Sequence, residues 1–230
     1  MKLNEQPINK QTHDADGILS VHSIFPTIQG EGVFVGAPAV FVRLEGCNLQ
    51  CPQCDTDYTS KKISYSPDSL LAEIKLLTGP SPLVVITGGE PFRQNLLPLI
   101  NLLLLESYTV QIETNGTLWQ KLPFENESLI ICCSPKTGKI NQRLVDKISF
   151  YKYVLHADHI SDKDGLPLSA LGHTAHPILA RPPEDAVVYV QPIDVDYPEE
   201  NKRHLDATIS SCMKYGYMLG LQIHKIIGME

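Results

Sequence analysis

The residues best suited to chemistry lie close together near the start of the chain. In GCNLQCPQC, residues 46–54, Cys47, Cys51 and Cys54 are separated by three and then two positions. Loops that short let successive sulfurs face one centre, so the triad suits zinc or an iron–sulfur cluster. Structural zinc takes four protein ligands and no second CxxC follows, so Asp55 or a distant histidine has to complete a zinc site. A cubane cluster held by three cysteines instead leaves one iron open to an exogenous ligand. Both centres fit the spacing. Cys132 and Cys133, in an apolar strand, and Cys212, in a helical stretch, read as buried structural thiols.

Composition narrows the classes. The chain has 230 residues, of which 43% are hydrophobic, enough for one sizeable core. The longest apolar run, LLPLINLLLL, is shorter than the roughly 18–20 residues of a membrane helix and reads as a buried helix. The polar start, MKLNEQPINKQTHDADG, lacks the apolar core of a signal peptide, so a cytoplasmic location is the default. In a reducing compartment six cysteines are not expected to pair, and a tight cluster points to metal or redox chemistry. A net charge of -7 without a dense basic run argues against nucleic acid; a small molecule is the expected partner.

These residues need a scaffold. Strands are expected at 39–44, 83–87, 109–114, 129–134, 150–155, 187–193 and 217–224. Several are almost continuously apolar, as strands covered on both faces must be. Helices are expected at SPDSLLAEIKLL, NLLPLINLLLLE and NKRHLDATISSCMKYG, and little room for a helix separates the third, fourth and fifth strands. The pattern predicts an α/β fold, a partial (β/α) barrel with fewer helices than strands. Residues 1–20 read as a polar leader, residues 21–230 as one domain, and residues 165–186 as a loop with at most one short helix.

In such a barrel, ligands sit at the carboxyl ends of the strands. Those ends carry Thr87 with GGEP behind it, Glu113 with Asn115, Ser134 with Lys136, His156, Gln191 with Asp194, and His224. Adjacent glycines let backbone approach a ligand, and the carboxylate that follows can accept from an ammonium group.

The cysteine triad followed by GGEP resembles the radical S-adenosylmethionine (SAM) superfamily. TIQGEGVFVGAPAVFVRLEGCNLQCPQCDT, VVITGGEP, QIETNGT, SPK, QPI and QIHK together resemble the 7-carboxy-7-deazaguanine synthases over about residues 22–226. The resemblance implies a lyase that converts 6-carboxy-5,6,7,8-tetrahydropterin to 7-carboxy-7-deazaguanine and ammonia through a SAM-derived radical. It implies a [4Fe–4S] cluster on Cys47, Cys51 and Cys54, and Mg²⁺ on Thr56. SAM would lie beside Gln53, Cys54, Asp55, Gly89, Glu90, Ser134, Pro135, Lys136 and Gln191, with Glu113 and Asn115 as further members. The pterin would meet Ile28, Gln29, Gly30, Glu31, Thr87 and His224, with Arg43 on its carboxylate. A reductant protein such as flavodoxin and a homodimer are further implications. The leader and the closing KIIGME have no counterpart in the resemblance. Two alternatives stand beside it: a glycyl-radical activating enzyme and a zinc-stabilised binding module.

Overall fold

The computed structural model describes residues 3–12, 14–172, 178–195 and 197–229. Nine strands form one sheet: β1 (Leu19–Ile28), β2 (Pro38–Leu44), β3 (Ile63–Tyr65), β4 (Leu83–Gly88), β5 (Thr109–Thr114), β6 (Leu129–Cys133), β7 (Phe150–Leu155), β8 (Val188–Pro192) and β9 (Met218–Leu219). Their order is β3-β1-β2-β4-β5-β6-β7-β8-β9. From β2 to β9 every pairing is parallel, while β1 runs antiparallel to both β2 and β3. The sheet is therefore a partial barrel, with all the parallel strands ending on one side.

Local chemistry explains the helices. In α1 (Pro67–Leu77), Ser66 Oγ accepts from Ser69 N at 3.2 Å, Pro67 opens the first turn and Asp68 sits near its positive end. In α3 (Pro198–Tyr215), Gly216 terminates the helix at φ 78°. Leu70 and Ile74 of α1 and Leu99, Ile100 and Leu103 of α2 (Leu97–Leu105) pack into the same core as Val84, Ile86, Val110 and Ile112 of the sheet. Each such side chain contributes roughly 1.5–3 kcal/mol on burial. The β5–β6 and β6–β7 connections contain no α-helix, only turns and one 3₁₀ turn at Val145–Lys147. No described helix is long and apolar enough to cross a membrane.

Two expectations change. β1 and β3 are additional strands: LSVHSIFPTI carries Ser, His and Pro26 among its apolar residues, and its Pro26 lies where β3 no longer pairs with β1. Proline is tolerated at such an edge. Conversely, the expected strand at 217–224 shortens to Met218–Leu219, and Ile223–Ile226 forms a helical turn, α4. Residues 165–172 and 178–186 hold turns and bends without a helix; 173–177 lie outside the described residues.

Candidate active site at the carboxyl ends of the strands

A cavity of about 440 Å³ opens at the ends of the parallel strands, a size suited to a small-molecule ligand. The β2–β3 loop brings Cys47, Cys51 and Cys54 to one side of it. All three thiols are free; Cys47 and Cys51 are buried and Cys54 half-buried. Burial pushes Cys47 up to about 12 and Cys51 up to about 11, with Lys136 pulling Cys51 the other way.

Glycines shape the cradle. At Gly89 a Cβ would lie 2.3 Å from Gly46 O and 2.8 Å from Cys47 Cβ, so only glycine lets the GGEP turn pass beneath the cysteine loop. Across the loop, Asn115, Asn48 and Thr117 form a ring: Asn115 Nδ2 donates to Asn48 Oδ1 at 3.0 Å, and Asn48 Nδ2 donates to Thr117 Oγ1 at 2.8 Å. The ring closes as Thr117 Oγ1 donates to Asn115 Oδ1 at 2.6 Å. Among the described residues, no three or more His, Cys, Asp and Glu converge on a space one ion would fill. Three thiols on one wall of the cavity, with the GGEP turn close against Gly46 and Cys47, fit the thiolate ligation of an iron–sulfur cluster.

The far side of the cavity is a charged group that the sequence did not foretell. Lys152 rises from the middle of β7 and is 8% exposed. Its Nζ donates to Glu31 Oε2, and to Glu113 Oε2 at 3.4 Å. Glu31 Oε1 also accepts from Gln191 Nε2 at 3.1 Å and Gln222 Nε2 at 2.9 Å. Glu113 Oε1 accepts from Gln111 Nε2 at 3.1 Å and Gln29 Nε2 at 3.4 Å. Burial alone would raise the Glu31 carboxyl; the ammonium of Lys152 and the donated bonds reverse that and hold it well below the usual range. Burial likewise opposes the charge on Lys152, and the two carboxylates overcome it. With two carboxylates and one ammonium, the group carries a net negative charge facing the cavity.

Most expected site residues meet here. Ile28, Gln29, Glu31, Arg43, Gln53, Asp55, Thr56, Thr87, Gly89, Glu113, Asn115, Ser134, Lys136, Gln191 and His224 all line the cavity with the three cysteines. Arg43 is half-buried, and its guanidinium lies 5.3 Å from the Phe25 ring centre. Gly30 lies just behind the wall, where a Cβ would come within 2.0 Å of His224 Nδ1; its carbonyl accepts from Ile223 N at 3.3 Å. Burial lowers His224, so its ring is neutral at pH 7. Lys136 Nζ donates to Ser134 O at 3.0 Å and to Ser134 Oγ, which folds the SPK turn on itself over buried Pro135.

One placement departs from the sequence reading. Glu90 does not line the cavity: fully buried, it accepts from Thr114 Oγ1 at 2.7 Å, Asn115 N at 2.7 Å and Phe92 N at 3.0 Å. Its carboxylate is used by the protein and sets the TNG turn. Glu113 and Gln191, expected beside SAM, line the cavity and are hydrogen-bonded into the Lys152 group. Lys152 was missed altogether, and Gln111 and Gln222, which open the QIETNGT and QIHK motifs, were given no role of their own. A lone lysine inside the apolar run FYKYVL was the available signal for the first, because a lysine is seldom buried unless paired.

Comparison with known proteins places this arrangement in context. Residues 41–126 match the Radical SAM superfamily model. The 7-carboxy-7-deazaguanine synthase of Rhodospirillum rubrum is 43% identical over 91% of this chain and 92% of its own. That of Rickettsia prowazekii is 40% identical over 92% of this chain and 89% of its own. The crystal structure of QueE from Escherichia coli superposes with a TM-score of 0.68 at 26% identity, covering 89% of this chain and 94% of that one.

Proposed function

Because the chain belongs to the 7-carboxy-7-deazaguanine synthase family, we propose that its cavity holds a carboxylated tetrahydropterin between the cysteine loop and the Lys152 group. The protein is a radical SAM lyase of deazapurine biosynthesis that converts 6-carboxy-5,6,7,8-tetrahydropterin to 7-carboxy-7-deazaguanine and ammonia. Members of this superfamily use a [4Fe–4S] cluster and SAM, which when bound supply an electron and a hydrogen-abstracting radical.

The chain's own residues divide the remaining work. Cys47, Cys51 and Cys54 hold the cluster, and Gln53, Asp55, Gly89, Asn115, Ser134, Pro135 and Lys136 border SAM. Glu90 serves SAM only indirectly, by fixing the Asn115 backbone. On the substrate side, Arg43 meets the pterin carboxylate as a charge-assisted pair. The 2-amino and N3–H donors of a pterin suit carboxylate and amide acceptors, and Gln29, Glu31 and Glu113 offer these beside Thr87. His224, packed on Gly30, covers the ring as a neutral group. Gln191 orients Glu31. Thr56, with Asp55 beside it, offers the hard oxygen ligands that Mg²⁺ requires, and the substrate carboxylate adds another. A flavodoxin-like reductant and a homodimer complete the proposal.

The observation that carries this reading is the meeting in one cavity of a three-cysteine loop and a buried group with excess carboxylate. Anaerobically reconstituted protein supplied with the tetrahydropterin, SAM, Mg²⁺ and a reductant is expected to form 7-carboxy-7-deazaguanine, detected by mass. Cleavage of SAM with the pterin untouched, while a protein acquires a radical, would instead favour a glycyl-radical activating enzyme.

A further inference from the structure

The polar leader has a job that neither the chemistry nor the fold above assigns. Residues 3–12 are extended and mostly exposed, with Leu3 67% and Ile8 63% exposed, so core burial does not hold them in place. Hydrogen bonds to the cysteine loop do. Asn4 N donates to Pro52 O at 2.9 Å, and its Nδ2 donates to Cys51 O at 3.1 Å. Gln6 Nε2 donates to Thr56 O at 2.9 Å, while its Oε1 accepts from Tyr58 N and Thr59 Oγ1, both at 2.9 Å. Asn9 N donates to Cys47 O at 2.7 Å, and Asn9 Oδ1 accepts from Cys47 N at 3.3 Å. At its far end the segment reaches the turn behind GGEP: Thr12 N donates to Arg93 O at 2.7 Å and Gln11 Nε2 to Phe92 O at 2.8 Å.

The loop being gripped has little structure of its own. Between β2 and β3 it forms no helix or strand, so its backbone groups need partners from outside. Backbone groups of Cys47, Cys51, Pro52, Thr56 and Tyr58 find them on the leader. Gly89 packs against Gly46 and Cys47 of the loop, and the leader adds its hydrogen bonds to that support.

We propose that residues 4–12 are a positioning strap, with Asn4, Gln6 and Asn9 holding the cysteine loop in the form that retains the cluster. This inference rests on the cluster reading given under the proposed function. Its test is iron release from the reconstituted 230-residue enzyme to a chelator, together with the electron paramagnetic resonance of the reduced cluster. Gln6→Ala is expected to speed release about tenfold and to broaden the cluster signal. Gln6→Glu, which keeps the acceptor and loses the donor to Thr56, falls between it and wild type. Asn9→Ala behaves like Gln6→Ala, and Ile8→Ala, which touches only an exposed side chain, matches wild type. The unfolding midpoint of the cluster-free protein stays put in all of them. Release within about twofold of wild type for both Gln6→Ala and Asn9→Ala overturns the strap, and so does faster release matched by an equal loss of cluster-free stability. Wild-type protein that takes up no iron overturns the cluster reading and the strap with it.

Discussion

At the scale of single residues, the site is decided by charge placed where water is scarce. Lys152 balances two carboxylates, so Lys152→Met leaves buried Glu31 and half-buried Glu113 facing each other without that counter-charge. Removing one member of a buried pair costs about 3–5 kcal/mol, and urea unfolding of the cluster-free protein is expected to register that loss. Adding Glu31→Gln to Lys152→Met should recover roughly half of it, because the surviving carboxylate no longer faces another. The pH dependence follows from the directions of the shifts. Glu31 is depressed, so its contribution is complete above its ordinary value of 4.5 and is lost as pH falls below it. Lys152 is raised, so its contribution is complete below 10.5 and is lost only at more alkaline pH. The stability difference between wild type and Glu31→Gln should therefore be flat near neutrality and shrink below pH 4.5. The partner proposed for Arg43 is different, the pterin carboxylate. For Arg43→Ala, calorimetry should show the tetrahydropterin bound about 10- to 100-fold more weakly, with SAM affinity little changed; equal losses in both reject its assigned role.

At the scale of elements, turns rather than strands do the fine positioning, and they were the harder part to foresee. The six apolar strands β2 and β4–β8 were legible because a parallel strand buried on both faces leaves a nearly unbroken apolar run. β1 was not, because its exposed edge admits Ser, His and Pro26; α4 was not, because QIHK has no helical periodicity in so short a run. The strand ends named the right residues but not their partners: sequence places Glu90 and Glu113 at adjacent strand ends, and only the fold shows one turned inward and the other toward Lys152. The GGEP turn makes the clearest test of positioning by an element. At Gly89 the atoms a Cβ would strike are the Gly46 carbonyl and the Cys47 side chain, and the backbone carbonyl cannot swing aside as a flexible side chain does. Gly89→Ala should lift the cysteine loop, costing about 1–3 kcal/mol in the cluster-free protein. Reconstituted samples should then hold less iron than wild type. Wild-type iron content at unchanged stability would show that the loop can move aside freely.

At the scale of the whole molecule, the question is how an open sheet keeps a walled cavity. β3 and β9 end the sheet without pairing to each other, so strand pairing does not complete the barrel. The final turn of the chain spans the gap instead. Ile223 N donates to Gly30 O, His224 packs on Gly30, and Gln222 reaches Glu31, so α4 sits on the end of β1 and joins the last part of the sheet to the first. On the outer side, Lys225 Nζ lies 3.1 Å from Asp194 and 3.7 Å from Asp55, tying the same turn to the β8 end and to the cysteine loop. These contacts are polar or small, and Ile226 and Ile227 are 71% and 51% exposed, so α4 adds little to the core while walling the Glu31 side of the cavity. A variant terminated after Gly220 should accordingly keep its circular dichroism and unfold cooperatively, with a midpoint within a few degrees of wild type. Its reconstituted form should bind SAM nearly as well as the full chain, because the cysteine loop loses only the exposed Lys225–Asp55 contact and the SPK turn is intact. The tetrahydropterin should bind at least about tenfold more weakly, since Glu31 loses Gln222 and the ring loses His224. Substrate binding that survives the truncation unchanged would mean that the wall closing the pocket is built elsewhere.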